Sequence, residues 1–333
     1  MMYRRTALGA VAVVLCPSPL LAQTLAQTSV AGRVYRLGLL EAGRLPLQPP
    51  DAYDITTLLG ERGYVEGRNL IIERRYAQGQ FERLPELARE LASLRLDAIY
   101  AIGSSAAHAA KQATATTPIV ILQNADPVAS GMVQSLARPG VNITGVLITP
   151  QGTLAGKRLE SLLAWVPNAK RVALLIPEDP GPGTLQQLAE TRAAAASVGL
   201  DLNVILVRGD DYASAFAALA SQRTQALIVA AHFIFVRDRQ TVIELAAKHR
   251  LPAIYEWPRQ VREGGLMSYG ANDLETFRKV ASYIDRVLKG ENPADMPFWQ
   301  PQTLHLVINL RTARALGLTP TEILLLRADE VIN

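Results

Sequence analysis

Short apolar runs alternate with amphipathic segments along most of the 333-residue chain. Residues 98–102 form an uninterrupted run of Ala, Ile and Tyr, which is typical of a strand buried on both faces of a parallel sheet. Residues 81–93 instead place Leu84, Leu87 and Leu91 on one side of a predicted helix. Because strands and helices of these two kinds follow one another in turn, the pattern predicts an α/β fold.

The same two patterns recur from the first predicted strand to the last predicted helix. The predicted strands are residues 35–40, 70–76, 98–102, 118–122, 142–147, 171–176, 201–207, 226–231, 253–255, 266–270 and 304–310. The predicted helices are residues 53–62, 81–93, 104–113, 128–136, 154–165, 185–198, 212–222, 238–249, 274–288 and 312–316.

These elements fall into two consecutive blocks of similar size, which predicts two doubly wound, Rossmann-like lobes rather than one long sheet. In open α/β sheets, ligands bind beyond the carboxyl ends of the strands. Two lobes that face each other through those ends enclose a cleft. The architecture therefore predicts binding between the lobes.

The first 26 residues have the features of a secretory signal peptide. Arg4 and Arg5 precede a short apolar run, and cleavage is predicted after Ala22 or Ala26. The run is too short to span a bilayer of about 30 Å as a permanent helix. The only cysteine, Cys16, lies inside this segment, so the mature chain would contain neither a disulfide nor a thiolate site. We therefore expect export to the periplasm.

Composition narrows the class of function. Nearly half of the residues are hydrophobic (49%), the net charge is only +4, and the basic residues are interleaved with acidic ones. Such a surface lacks the basic stripe that nucleic-acid binding requires. No nucleophile elbow, dinucleotide-binding glycine motif or paired metal-binding histidines occur in the sequence. We therefore expect no nucleic-acid partner, no metal, no cofactor and no enzyme.

Polar residues at two predicted strand ends suit ligand recognition. Gly103, Ser104 and Ser105 lie between a strand and a helix, where backbone N–H groups, hydroxyls and the helix dipole favour a carboxylate. A simple helix-capping role for the serines remains open, and the two roles are compatible. Asp126 follows another strand, where its carboxylate would accept from a ligand ammonium or cap a helix.

Aromatic residues follow the strands of the second block. His232 and Phe233 follow one strand, while Tyr255 and Tyr269 lie at the ends of two later apolar runs. Rings on both sides of a cleft suit a flat or apolar ligand. Ordinary packing of each ring against the core is the alternative.

Several ordered motifs resemble the ABC transporter substrate-binding family that includes tryptophan- and tyrosine-type binding proteins. They include Gly-Tyr-Val-Glu-Gly-Arg-Asn-Leu at 63–70, Ser-Leu-Ala-Arg-Pro-Gly at 135–140, His-Arg-Leu-Pro-Ala-Ile-Tyr at 249–255, Gly-Gly-Leu-Met-Ser-Tyr-Gly at 264–270 and Leu-Arg-Ala-Asp-Glu-Val-Ile at 326–332. The resemblance spans nearly the whole mature chain.

This resemblance implies a type I periplasmic-binding fold whose lobes are joined by crossover hinges. Lobe 1 would comprise residues 34–147 and 270–302, and lobe 2 residues 148–269 and 303–333. The strand-end positions inherit a ligand-contact role, and Glu41, Thr144 and Glu178 complete the predicted ligand-binding set. The sequence departs from the expected pattern at residues 231–233 and in the proline-rich segment after Glu41, which leaves the ligand class open.

The resulting hypothesis is a monomeric extracytoplasmic solute-binding protein of an ABC importer. It would capture a small carboxylate-bearing ligand, with an aromatic amino acid as the candidate, and present it to a membrane permease with its ATPase. Two alternatives remain open from sequence: an exported ligand-sensing module for a receptor kinase, and a secreted enzyme on the same fold.

Overall fold

A computed structural model describes residues 32–43, 54–149 and 154–333. The predicted signal peptide, residues 1–26, lies outside the described residues. From residue 35 onward the strands form two sheets, of five and seven strands. The strands are β1 (Tyr35–Glu41), β2 (Leu70–Tyr76), β3 (Ala98–Ile102), β4 (Ile119–Gln123), β5 (Ile143–Leu147), β6 (Arg171–Pro177), β7 (Asp201–Val207), β8 (Ala226–Val229), β9 (Ala253–Tyr255), β10 (Met267–Gly270), β11 (His305–Asn309) and β12 (Glu330–Ile332).

Helices connect most of these strands and cover the sheets. They are α1 (Ile55–Gly60), α2 (Leu84–Ser93), α3 (Ser104–Ala113), α4 (Leu154–Leu163), α5 (Pro182–Ser197), α6 (Tyr212–Ser221), α7 (Phe233–Arg237), α8 (Arg239–Lys248), α9 (Pro258–Arg262), α10 (Asp273–Leu288), α11 (Leu310–Leu316) and α12 (Glu322–Arg327). Within the described ranges, none of these helices is long and apolar enough to cross a membrane.

The five-stranded sheet is entirely parallel and has the order β2-β1-β3-β4-β5. This is a doubly wound arrangement in which the order of strand addition reverses between β1 and β3. Alternate residues of each strand pack on opposite faces of this sheet. Tyr100 packs on the side covered by α1 and α10, whereas Ile99 and Ala101 pack on the side covered by α2 and α3. We call this sheet with α1–α3 and α10 the first lobe.

The seven-stranded sheet repeats that order as β7-β6-β8-β9-β10 and then adds β11 and β12. Its second reversal point therefore lies between β6 and β8. Strand β11 pairs antiparallel with β10, and every other pairing in this sheet is parallel. We call this sheet with its remaining helices the second lobe.

The chain passes between the lobes more than once. After β10 it enters α10, whose N-terminus is capped by Asn272 accepting from Glu275 N at 2.9 Å. Although α10 follows a strand of the second sheet, its apolar face packs on the first sheet. Tyr64 Oη donates to Asp285 Oδ1 at 2.8 Å and fastens the far end of this helix to the first lobe. The chain then returns to the second sheet through β11.

The predicted strands are confirmed, with ends that shift by a few residues at most, and so is the two-lobed α/β architecture. The predicted helix at residues 128–136 is wrong, because the chain forms successive turns there. The carbonyl of Pro127 accepts from both Met132 N at 2.8 Å and Val133 N at 3.1 Å, which closes a wide turn instead of starting a helix. Helices α7, α9 and α12 and strand β12 were not predicted.

Candidate functional site

A cavity of about 320 Å³ lies between the two sheets, at the carboxyl ends of their strands. The first lobe contributes the ends of β1, β3 and β4, and the second lobe contributes the start of α5 and the residues that follow β8 and β9. The cavity therefore lies at the point in each sheet where the strand order reverses. The connections that leave the two neighbouring strands run to opposite faces of the sheet there, which leaves room for a ligand. Its volume falls in the range of sites for small molecules.

Glu41 is held at the end of β1 by backbone hydrogen bonds from the segment after β2. Ala77 N donates to Glu41 O at 2.9 Å, and Gly79 N donates to Ala42 O at 2.8 Å. The Glu41 side chain lines the cavity. Burial raises the pKa of its carboxyl group to about 7, against a smaller opposing effect of the nearby Arg237 charge.

The N-terminus of α3 opens onto the cavity beside Glu41. In the parallel pairing of β1 and β3, Glu41 lies opposite Ile102, so Gly103 and Ser104 begin where β1 ends. Gly103, Ser104 and Ser105 all line the cavity. The hydroxyl oxygen of Ser104 is buried and has no hydrogen-bond partner among the described residues. Backbone N–H groups at this helix end remain available to an anion.

Aromatic rings from both lobes enclose the rest of the cavity and meet across it. The rings of Phe81 and Phe233 have centroids 6.2 Å apart, and those of Trp257 and Phe277 are 6.0 Å apart. In each of these two pairs one ring belongs to each lobe. The aromatic residues of the lining are Tyr76, Phe81, Tyr100, His232, Phe233, Trp257 and Phe277.

Three arginines of the second lobe line the cavity, and each has a carboxylate partner within that lobe. Arg237 Nε donates to Asp238 Oδ1 at 2.6 Å. Arg239 Nε and Arg259 Nε donate to the two oxygens of Glu263 at 2.5 and 3.2 Å. These pairs fix the guanidinium groups at the edge of the cavity.

His232 provides a neutral polar group in this wall. Burial, with a further contribution from the Arg237 charge, lowers the pKa of the imidazole to about 3. His232 Nδ1 accepts from Ile234 N at 3.5 Å and so caps the short helix α7. The ring therefore stays uncharged at neutral pH.

A direct hydrogen bond also joins the lobes at one edge of the cavity. Asn124 Nδ2, at the end of β4, donates to Ala231 O, just after β8, at 3.0 Å. Gln187 on α5 makes two hydrogen bonds with Ala231: its side chain accepts from Ala231 N at 2.8 Å and donates to Ala231 O at 3.1 Å. The two strand ends are thus in contact across the cleft.

The structure brings together six of the residues predicted from sequence and leaves the others elsewhere. Glu41, Gly103, Ser104, Ser105, His232 and Phe233 line one cavity. Asp126 lines a separate, water-sized pocket, and its carboxylate accepts from Val128 N at 2.8 Å. Thr144 is fully buried and donates to Met296 O at 2.8 Å.

The remaining three predicted residues do not line the cavity. Glu178 is exposed and pairs with Arg208 at 3.1 Å on the surface of the second lobe. Tyr255 is buried in the core of that lobe, while its neighbour Trp257 lines the cavity. Tyr269 lies in β10, where its carbonyl accepts from Arg158 Nε at 2.8 Å.

Sequence reasoning missed the arginines and the aromatic residues of the first lobe. Arg237 and Arg239 lie on α7 and α8, beyond the residues that directly follow a strand, so the strand-end criterion did not reach them. Tyr76, the last residue of β2, and Asn124, directly after β4, both meet that criterion, so these two omissions were detectable from the sequence. No cluster of three or more metal-ligating side chains occurs in the part of the chain that the structure describes.

Residues 54–332 match the sequence model of a family described as ABC transporter substrate binding protein. The chain belongs to this family. The match covers both lobes and every side chain of the cavity except those at the end of β1. Its members are substrate-binding components rather than enzymes.

A curated relative and two solved structures are similar to this family member over most of its length. A tyrosine-binding protein of Clostridioides difficile is 26% identical over 275 residues, which is 82% of this chain and 79% of the relative. The ABC domain of Streptococcus pneumoniae in complex with L-Trp is 25% identical, with a TM-score of 0.75, and covers 90% of this chain and 100% of its own. A conserved domain protein from Vibrio cholerae is 24% identical, with a TM-score of 0.76 and the same coverage. These similarities identify the type I periplasmic-binding fold.

Proposed function

We propose that this protein captures a carboxylate-bearing aromatic ligand, of the aromatic amino acid type, for an ABC importer. The observation that carries this proposal is the interlobe cavity, which combines aromatic walls with an open helix N-terminus and three arginines. Rings would stack on the aromatic walls, and the carboxylate would bind at Ser104 and Ser105. The tyrosine-binding relative and the L-Trp complex support the same ligand class.

Binding in this cavity would couple to closure of the lobes. A ligand that touches both lobes binds the closed arrangement better and shifts the population toward it. The crossings before and after α10 and after β5 are the positions at which a hinge rotation would occur. The closed, loaded form would then be recognised by a membrane permease with its ATPase, and we expect a periplasmic monomer.

Thermal unfolding in the presence of single ligands tests this function. The panel contains the three aromatic amino acids, aliphatic amino acids and aromatic carboxylic acids. A ligand at about one hundred times its Kd adds about 2.7 kcal/mol to the free energy of unfolding and raises the Tm. We expect a rise with at least one aromatic ligand and none with aliphatic amino acids. No rise with any aromatic compound would contradict the proposed ligand class.

A further inference from the structure

Glu41 differs from the other charged side chains of the cavity because none of the described residues forms a hydrogen bond or an ion pair with its carboxylate. Each cavity arginine donates to Asp238 or Glu263. Asp54, the second carboxylate of the lining, accepts from Thr56 N at 2.7 Å and caps α1. Glu41 makes no side-chain hydrogen bond and no ion pair among the described residues, although its carboxylate faces the cavity. A largely buried carboxylate without a cationic partner among the described residues favours a ligand that supplies a cation.

We propose that Glu41 receives the ligand's ammonium group and thereby selects zwitterionic amino acids over aromatic acids that lack the amine. This inference rests on the proposed function, because it concerns the same cavity. From sequence, Asp126 was the candidate for binding a ligand ammonium group. Its carboxylate lies outside the cavity and accepts from Val128 N, so we assign ammonium binding to Glu41 instead.

The pairing of β1 with β3 places the two ends of an amino acid at neighbouring strands. Glu41 lies opposite Ile102, and the α3 N-terminus begins two residues later at Ser104. Neighbouring strands lie about 4.8 Å apart. The ammonium and carboxylate groups of an α-amino acid are attached to one carbon. The ammonium group can therefore meet Glu41 while the carboxylate meets Ser104 and the N–H groups of α3.

The charge on Glu41 makes this recognition dependent on pH. Glu41 interacts electrostatically with Arg237 and with the phenols of Tyr76 and Tyr100. The other charged or titratable side chains that line the cavity are Asp54, His232, Arg239 and Arg259. His232, with a pKa of about 3, stays neutral, and burial raises the pKa values of both phenols. Burial raises the pKa of the Glu41 carboxyl group to about 7, so the charge of this side chain changes near neutral pH.

The sign of the pH dependence follows from the charge of the ligand. An ammonium group stabilises the ionised carboxylate, so binding releases the proton that the empty cavity holds at pH 6. Affinity for an amino acid should therefore fall about tenfold per pH unit below 7 and level off near pH 8. An aromatic acid without the amine has no cation to offer Glu41, so its affinity should fall as the pH rises through 7.

The test is calorimetric titration of the full chain with matched ligand pairs that differ only in the amine: L-tyrosine and 3-(4-hydroxyphenyl)propionate, L-tryptophan and indole-3-propionate, and L-phenylalanine and 3-phenylpropionate. Titrations at pH 6, 7 and 8, in two buffers of different ionisation enthalpy, also count the protons released. The variant is Glu41→Gln, which keeps the shape of the side chain and removes its charge. The matched control is Glu178→Gln, which alters an exposed carboxylate away from the cavity.

At pH 8 we expect the wild-type protein to bind the amino acid of at least one pair at least tenfold more tightly than the matched acid. At pH 6 and 7 we expect binding of that amino acid to release protons. Glu41→Gln should abolish the proton release and most of the preference, while Glu178→Gln should preserve both. Equal or tighter binding of the acid without the amine at pH 8, or an unchanged preference in Glu41→Gln, would overturn the role of Glu41 and leave the proposed function intact. Failure of every pair to bind the wild-type protein would overturn both.

Discussion

A buried ion pair between Arg158 and Glu256 ties three elements of the second lobe together. Both side chains are almost completely buried, and Arg158 Nε also donates to Tyr269 O at 2.8 Å, at the end of β10. Burial raises the pKa of the Glu256 carboxyl group, and the Arg158 charge opposes this shift. Arg158 thus links the middle of α4 both to the residue that follows β9 and to β10, the strand from which the chain crosses to α10.

Removing one partner should destabilise the protein strongly. Arg158→Met leaves the Glu256 carboxylate buried without its cation, so we expect the free energy of unfolding to fall by about 3–5 kcal/mol. Denaturant unfolding followed by far-UV circular dichroism measures this difference.

Lys157→Met is the matched control on the same helix, because Lys157 pairs with Glu160 at 3.3 Å where both side chains are exposed. It should cost less than about 1 kcal/mol. Equal effects of the two substitutions would contradict a structural role for the buried pair.

At the scale of elements, the N-terminus of α5 approaches the first lobe very closely. A β-carbon at Gly183 would lie 1.8 Å from Asn124 Oδ1, which belongs to the end of β4. Asn124 also makes the hydrogen bond to Ala231 that joins the lobes. A β-carbon at this position would displace the Asn124 side chain and disrupt its hydrogen bond to Ala231.

Gly183→Ala should therefore hinder closure without unfolding the second lobe, because alanine favours a helix. We expect the Kd for the best ligand of the panel to rise about tenfold or more, with an unchanged or higher Tm in the absence of ligand. Gly156→Ala is the control, since the nearest atom to an added β-carbon in α4 lies 4.0 Å away. Unchanged affinity in Gly183→Ala would show that binding does not require this contact.

Strands were the elements most accessible to prediction, and the short helices were the least. Residues 119–123 are apolar apart from Gln123, because both faces of the first sheet are covered. Such a short apolar run is typical of a strand in a parallel sheet. Helices α7 and α9 contain only five residues each, too few for a helical period to appear. The turns at 128–136 carry apolar residues in a spacing that imitates a helix.

At the scale of the whole molecule, sequence analysis predicted the part of the site that lies close to the ends of strands. Ser104 and Phe233 directly follow strands, so their place beside the cavity followed from topology. Arg237 and Arg259 reach the cavity from helices, and their positions depend on how the second lobe faces the first. Thr144 was included in the predicted ligand-binding set, yet its hydroxyl group donates to Met296 O and joins β5 to the segment before Trp299.

The two lobes meet around a cavity to which both sheets contribute. Both sheets have the same doubly wound order, and both place their reversal points at one cavity. Aromatic pairs and the Asn124–Ala231 hydrogen bond join the lobes around it. The central claim is that an aromatic ligand occupies this cavity and bridges the two lobes.

A crystal structure of the protein grown with the tightest-binding ligand of the panel tests that claim most directly. The account predicts electron density for the ligand between the α3 N-terminus and Trp257, with its carboxylate at Ser104 and its ring against residues of both lobes. Density at any other place on the molecule, or a ligand in contact with one lobe alone, would contradict it.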